Sequence, residues 1–578
     1  MKLSRVKIKN YRNFFDEDIS LNNETIIIGP NDVGKTNLLM AIRILLDKSL
    51  SYLDLEPEER DFNIFSDEEE ITIILEFSEI SENSESFIYA SLGQDIEDSK
   101  MYLMYKGYKN SEEKFKFFMS AKEDEESFHE IPGRNKYINL INCVYLDSTR
   151  QLKSFLKKSK ANIINSYKQK RDSKEIDNDN NLILEIDKQV NYLNQKVENV
   201  SYISKSTEFI KSELSEMSSH NDNLDIKFSS YNDTNEIMDN VELITQVDGK
   251  NVNIGGDGRS NQIYMSMWIK EKNEKYDNSK QFVIFILEEP ESHLHFPLQS
   301  MTIRQLLKKI NSQLIVTSHS PQVVLEFNPF SIVKLSYNKD KKTIVSNNGC
   351  SKELEDDVIK FGYRYNLITG SMFFSSGVFL VEGVSELLIY KYISSKLDIN
   401  LEKYNIMIVP VDGIGFKPYA KLLDRLSIPY AVRTDNDIVI NSKNKKIYYS
   451  GINRLIDLHN EKIMKNDWIS KEEFSNLNSE KLSSESLKLY QKYKKNFMDE
   501  GLFISEKDLE NDLSNIDFLS DYIKQNYNGK DEFVKYLQNS KAKNMYDFID
   551  EIKNISITRD NIGNFYKPID WLIGKVNE

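Results

Sequence analysis

Apolar and polar residues alternate from the start of the chain, where Leu3, Val6 and Ile8 predict a strand that ends at Asn10-Tyr11-Arg12-Asn13-Phe14. Ile71 to Phe77 predicts another strand, and the short apolar runs Ile26-Ile27-Ile28, Phe282 to Leu287 and Gln313 to Thr317 predict three more. A helical pattern, Asn37-Leu38-Leu39-Met40-Ala41-Ile42, follows the first of these runs, so an α/β domain opens the chain. From about Gln151 the residues become mostly Lys, Asn, Ser and Asp, and Arg171 to Asn181 reads as a flexible polar connection. Beyond it, Ile183, Ile186, Val190, Leu193, Val197 and Val200 are spaced 3, 4, 3, 4, 3, the seam of a helix that packs on another helix. An intramolecular hairpin and a dimer contact satisfy that seam equally well. The α/β pattern resumes with a hairpin turn in Val247-Asp248-Gly249-Lys250-Asn251-Val252, then a flexible stretch, Gly255-Gly256-Asp257-Gly258-Arg259-Ser260.

Composition narrows the classes. With 578 residues the chain has room for several cores, and no apolar run approaches the roughly 20 residues of a membrane span. Without a signal-peptide pattern either, a cytoplasmic protein with no membrane association is expected. Two cysteines, Cys143 and Cys350, and six scattered histidines exclude a thiolate or imidazole metal cluster. A catalytic metal here would take oxygen ligands, which points to Mg²⁺ or Mn²⁺. The net charge of −15 argues against a general polyanion binder but leaves room for an enzyme that reaches nucleic acid through metal-binding carboxylates. Of three basic runs, Lys168-Gln169-Lys170-Arg171 and Lys339-Asp340-Lys341-Lys342 read as solvated faces. The third, Lys488 to Lys495, interleaves Tyr490 and Tyr493 and is the better nucleic-acid candidate.

The most specific motif is Gly29-Pro30-Asn31-Asp32-Val33-Gly34-Lys35-Thr36, which fits G-x-x-x-x-G-K-[ST] between a strand and a helix. Gly29, Asn31 and Gly34 belong to a loop whose backbone N–H groups wrap a β-phosphate. Lys35 neutralises the β/γ-phosphates and Thr36 offers its hydroxyl to Mg²⁺. Glu288-Glu289-Pro290-Glu291 closes a buried strand, where a P-loop ATPase holds its metal and polarises water: Glu288 for the metal, Glu289 for the water. Ser318-His319-Ser320-Pro321 closes another strand and brings His319 to the γ-phosphate. His293 and His295 read as structural or interfacial.

These residues resemble the ABC-type ATPases of the RecF, SMC and OLD (overcoming lysogenization defect) group, over roughly residues 1–150 and 245–345. The resemblance implies that two heads sandwich ATP, each glycine signature loop reaching the partner's γ-phosphate. Asp257 stands where a serine is usual, and its carboxylate weakens γ-phosphate binding unless Arg259 neutralises it. ATP binding is therefore expected more firmly than rapid turnover.

A second chemistry fills the C-terminal third. The strand of Val378-Phe379-Leu380-Val381 ends at Glu382-Gly383, and a helix then sets Glu386 one turn beyond Glu382. A second strand and turn span Ile406 to Gly413, and the strand after Pro429 ends in Asp435-Asn436-Asp437, a D-x-D spacing that aims two carboxylates at one metal. Asp508-Leu509-Glu510-Asn511-Asp512-Leu513 adds acids and Ser540-Lys541 a cation. One acidic pair is ordinarily a solvated turn. Several acids after apolar strands fit a divalent centre for phosphodiester hydrolysis better, with a lysine to stabilise the phosphate.

This region resembles a TOPRIM domain, and ATPase followed by TOPRIM resembles the OLD-family nucleases, among them the nuclease subunits of the Gabija anti-phage system. The resemblance implies an α/β architecture in which residues 1–150 and 246–365 form an ABC-type ATPase head. Residues 151–245 would be a helical insert that makes dimers or tetramers, and 366–578 a TOPRIM nuclease domain with a C-terminal extension. It implies Glu382, Glu386, Asp435, Asp437, Glu510 and Asp512 as metal ligands or their orienters and Lys541 at the scissile phosphate of double-stranded DNA. It further implies cutting restrained by nucleotide and a helicase-like GajB partner. Two alternatives stay open: a standalone OLD nuclease, and an SMC-like DNA-binding ATPase whose TOPRIM region is a scaffold.

Overall fold

The computed structural model describes residues 1–81, 99–147, 164–217, 234, 241, 245–247, 250–252, 257–276, 280–350, 366–412, 415–440, 447–462 and 482–578. They form two compact units, one of Met1–Ser148, Asn278–Glu291 and Phe296–Glu578, the other of Thr149–Asp277 and Ser292–His295.

The larger unit contains a 12-stranded sheet. Its strands are β1 (Lys2–Tyr11), β2 (Phe14–Ser20), β3 (Glu24–Ile28), β4 (Glu70–Ser78), β5 (Met101–Tyr108), β6 (Phe115–Ser120), β7 (His129–Ile131) and β8 (Ile141–Leu146), with four more from later in the chain. Numbering the hairpin strands of the smaller unit β9 (Thr245–Val247) and β10 (Lys250–Val252), these four are β11 (Phe282–Glu288), β12 (Leu314–Thr317), β13 (Ile332–Tyr337) and β14 (Thr343–Val345). The order is β7-β6-β5-β4-β1-β2-β14-β13-β3-β12-β11-β8. From β7 to β2 all neighbours are antiparallel, and β1 shows the alternating burial its sequence predicts. From β13 to β8 all are parallel, and there the apolar runs are buried almost without break, as strands covered on both faces must be.

Parallel pairing of β3, β12 and β11 decides what the head can do. Ile27 is level with Thr317, and Thr317 with Glu288, so the residues that follow each strand emerge at one edge. The phosphate-loop sequence is thereby gathered with Ser318-His319 and Glu288-Glu289, which lie more than 250 residues further along the chain. The helix Lys35–Leu46 buries Leu38, Leu39, Ile42, Leu45 and Leu46 at helical spacing and anchors the loop.

A four-stranded parallel sheet forms the second core of this unit, in the order Ile406–Pro410, Gly377–Val381, Tyr430–Thr434, Leu502–Ile504. Its two central strands pair Leu380 with Val432, so Glu382 and Asp435 leave the sheet side by side. After β14, Asn347, Asn348 and Gly349 take φ of 44°, 56° and 87°. This left-handed turn lets Asn347 Nδ2 donate to the carbonyls of Asp424 (2.9 Å) and Arg425 (2.7 Å), at the C-terminus of the helix Lys417–Arg425. Ser346 Oγ reaches the Leu426 carbonyl at 3.0 Å, and Arg425 returns a bond to the Gly349 carbonyl at 2.6 Å. Helix-end carbonyls are thus satisfied by the head.

Three expectations change. Arg171 to Asn181 is no flexible connection: the helix Ser173–Glu198 starts there, closed by a capping box between Asp172 and Glu175. The signal D-x-x-E was present, but the surrounding residues are polar on every face. Of the predicted seam only Val190 is buried, while Ile183, Leu193 and Val200 are exposed, so the neighbouring helix Ser201–Met217 does not cover it. The glycine-rich stretch is helical from Asp257 onward, in Asp257–Lys275, where a Cβ on Gly258 would fall 2.8 Å from the His293 carbonyl. Asp248, Gly249, Gly255 and Gly256 lie outside the described residues, though β9 and β10 pair as the hairpin predicts, Val247 opposite Lys250.

Candidate nucleotide site and acidic centre

The loop after β3 has the backbone its glycines allow. Gly29 has φ 155° and Gly34 φ 105°, and a Cβ on Gly34 would fall 1.8 Å from Asn13 Nδ2. Asn13 Nδ2 donates to the Val33 carbonyl at 2.6 Å, and Thr343 Oγ1 donates to the same carbonyl at 2.8 Å. Lys35 folds back onto the loop, its Nζ on the carbonyls of Gly29 (3.1 Å) and Pro30 (2.8 Å). Burial pushes its pKa down to about 8 against the pull of Glu289 and Glu288, so a phosphate would find a desolvated cation.

Thr36 donates to Glu288, whose second oxygen accepts from the Tyr145 hydroxyl. The Arg43 guanidinium lies 3.7 Å from the centre of the Tyr145 ring. Glu289, with φ 43°, turns its carboxylate to His319 Nε2 at 3.3 Å. Burial first, then Lys35, lowers the His319 pKa and favours its neutral form. Glu291, which carried no role in the sequence reading, is buried and holds Ser318 Oγ at 2.6 Å and the His319 N–H at 3.2 Å. It sets the backbone from which His319 projects. Beside the loop, a cleft of about 870 Å³ is lined by Arg12, Asn13, Asn37, Phe62, Phe65 and Tyr337, with room for a nucleobase and ribose. Arg12 is fixed there by Asp61 and Asn37, each at 2.9 Å.

At the edge of the second sheet, Glu386, Asp435 and Glu510 are all buried, Glu510 to 1 % exposure. Burial pushes Glu386 up to about 7, with Glu382 and Glu510 adding to it, and Asp435 up to about 8, with Glu382 and Glu386 adding. Glu510 is raised by burial as well, and its Oε2 has no hydrogen-bond partner among the described residues. Burial works against the charge of Lys541, at the start of the helix Lys541–Glu551, yet Glu510, Asp435 and Glu386 carry its pKa above the ordinary lysine value.

Other acids of the set are held by arginines that the sequence reading did not single out. Asp512 pairs with the buried Arg433 at 2.5 Å, while Arg433 also donates to Tyr390 (3.0 Å) and Ser505 (3.1 Å) and lies 4.5 Å from the Phe565 ring centre. Glu382 Oε1 accepts from Thr434 Oγ1 (2.6 Å), the Asp435 N–H (2.8 Å) and Arg454 Nη1 (2.8 Å), and Arg454 Nη2 reaches Asp437 at 2.6 Å. Asp508 caps the helix Leu509–Ser514, which carries Glu510 in its first turn.

A divalent cation fits this centre. Burial raises the pKa of all three carboxylates, neighbouring acids raise Glu386 and Asp435 further, and one buried oxygen has no partner among the described residues; a cation relieves these costs. Among the described residues no three such groups are drawn together tightly enough to hold an ion as they stand, so loading requires side-chain movement. A pH effect follows. Glu386 and Asp435 keep protons in the folded chain up to about pH 7 and 8 that the unfolded chain releases near pH 4. The unfolded state therefore binds fewer protons across this window, and metal-free stability declines as pH rises through it. Mg²⁺ should raise the melting temperature more at pH 8 than at pH 5 in thermal scans against EDTA; equal shifts would rule out these acids as the ligands.

Two family models match the chain: AAA ATPase domain over residues 1–324 and, over 373–437, overcoming lysogenization defect protein-like TOPRIM domain. The first covers more than half of the sequence, and the chain belongs to the AAA ATPase domain family, with a TOPRIM domain following the ATPase domain. Over nearly its whole length it is similar to Endonuclease GajA of Bacillus cereus (strain VD045), at 25% identity covering 96% of both chains. It is also similar to the OLD nuclease of Thermus scotoductus (strain ATCC 700910 / SA-01), at 24% identity over 75% of this chain and 82% of that one. An SMC head domain from Thermotoga maritima aligns with 60% of this chain and 98% of its own at 13% identity, with a TM-score of 0.30, too low to extend the fold assignment.

Proposed function

We propose that the chain is a divalent-metal-dependent DNA endonuclease of bacterial anti-phage defence, governed by nucleotide bound at its ATPase head. The observation that carries this reading is the set of buried carboxylates at neighbouring strand ends, Glu386, Asp435 and Glu510, beside Lys541. Relatives named as endonuclease and nuclease over most of the chain support DNA as the substrate. Glu382, Glu386, Asp435 and Glu510 would hold Mg²⁺ or Mn²⁺, with Asp437 and Asp512 as further ligands or orienters. When bound, the cation supplies a nucleophilic water and charge stabilisation at the phosphate. Lys541 stabilises the charge that grows on the scissile phosphate. Asp508 caps the helix that carries Glu510, and Arg433 holds Asp512 against the wall of the centre. On the helix Leu482–Asp499 the exposed Lys492, Lys494 and Lys495 offer phosphate contacts for the duplex.

In the head, Gly29, Asn31, Gly34, Lys35 and Thr36 would cradle ATP and its Mg²⁺ with Glu288, while Glu289 and His319 face the γ-phosphate. Physical continuity supports control of one centre by the other. Thr343 binds the loop carbonyl of Val33, and the turn two residues past β14 grips the helix that leads into the D-x-D strand. Exposed Ile183, Leu184, Leu193 and Phe209 on the helical module support self-association into dimers or tetramers. No described helix is long and apolar enough to cross a membrane, and a cytoplasmic setting with a GajB-type helicase partner completes the reading.

Purified protein should nick supercoiled plasmid or phage DNA with Mg²⁺ or Mn²⁺, less as ATP rises, and Asp435→Ala should not cut. A protein inert with either metal, alone and with the helicase partner, would favour a TOPRIM scaffold. Full cutting with no partner and no partner gene beside it would favour a standalone OLD nuclease, which the similarity to the Thermus enzyme makes the second reading.

A further inference from the structure

The helix Ser450–Lys462 begins against the D-x-D backbone. Ser450 N–H donates to the Asp437 carbonyl at 2.8 Å, and a Cβ on Gly451 would fall 2.2 Å from the Asp435 carbonyl oxygen. Glycine alone permits that approach, and one turn later the helix delivers Arg454 over the carboxylates. Its guanidinium bridges Glu382 Oε1 (2.8 Å) and Asp437 Oδ2 (2.6 Å), with longer contacts to the carbonyls of Ser450 (3.2 Å) and Asp435 (3.5 Å). Glu382 follows one central strand directly and Asp437 lies just past the other, beside Asp435. Arg433 differs in kind. Its side chain is 6% exposed and walled by Tyr390 and Phe565, whereas that of Arg454 is 28% exposed and open to water on one side. A partly solvated guanidinium has a path to water that a walled one lacks.

We propose that Arg454 is a resident counter-ion that the divalent cation displaces. The guanidinium bridges Glu382 and Asp437, and metal loading exchanges it for the ion. Arg454 then acts as a positioning residue that sets metal affinity through these carboxylates. The inference rests on the reading of this centre as metal-binding, and it predicts that arginine and metal compete.

Calorimetric Mn²⁺ titration of the full chain without nucleotide tests it, using wild type, Arg454→Gln and Arg454→Lys, with circular dichroism as the fold control. Arg454→Gln should bind Mn²⁺ roughly five- to tenfold more tightly, a modest coupling between two ligands of one site. It should also melt lower in EDTA. Arg454→Lys keeps the charge but cannot bridge both acids, so exchange expects most of the same tightening. A simple field effect expects Lys to match wild type, and that result overturns the proposal, as does weaker binding by Gln, which would make Arg454 a support of a formed site. Absence of any Mn²⁺ binding by wild type would instead overturn the metal-centre reading itself.

Discussion

Asp435→Asn is expected to cut DNA on the order of 10³-fold more slowly while melting higher than wild type at pH 8 without metal. Both effects come from one charge. Asp435 is buried beside Glu382, Glu386 and Glu510, and its pKa, about 8, records what ionising there costs. Asparagine keeps the shape and an oxygen for Ser505 Oγ, which now donates to Asp435 Oδ1 at 3.2 Å, but contributes no repulsion. Relief of about 1 kcal/mol would lift the melting temperature by roughly 2 °C in a domain of this size. In the proposed centre the cation would lose a ligand whose share of several kcal/mol in transition-state stabilisation accounts for the expected rate. Single-turnover cleavage of plasmid and paired melts in EDTA at pH 8 check it. Slow cutting with a lower melting point would make Asp435 a structural residue, and undiminished cutting would remove it from the centre. A gain in stability with a loss of function is the signature of a functional site.

What was legible in the sequence was whatever a short segment specifies by itself. A strand, two glycines, Lys35 and Thr36 fix a loop locally, and Glu382 at the end of a strand with Glu386 in the first turn of the helix that follows are four positions apart in one strand-to-helix corner. Counter-ions were not legible. Arg433 meets Asp512 across 79 positions and Arg454 meets Glu382 across 72, and a single sequence carries no signal of such pairings. Tyr145 on Glu288 and Glu291 under His319 are hidden for the same reason, because parallel strand order, not spacing, brings them together. The helix at Ser173 was misread on composition although its capping box was visible, since flexible and helical polar segments differ in caps more than in content.

Lys35→Ala is expected to weaken ATP binding by at least about 10²-fold, the cost of removing a charge-assisted partner from desolvated phosphates. Among the described residues Lys35 Nζ bonds to loop carbonyls, and burial holds its pKa at about 8, so the loop keeps a largely desolvated cation. A polyphosphate meets that need and should draw a proton onto Lys35 as it binds, because its charges raise the pKa. Wild-type affinity should therefore fall as pH rises from 7 to 9, where the free protein loses the lysine proton, while Lys35→Ala should show a weak, flat profile. Titration of a fluorescent ATP analogue at several pH values measures both. A mutant that still binds tightly would place the nucleotide elsewhere. A pH-independent wild type would mean that the lysine is already protonated by its acidic neighbours Glu288 and Glu289, and that the loop carries its charge before the ligand arrives.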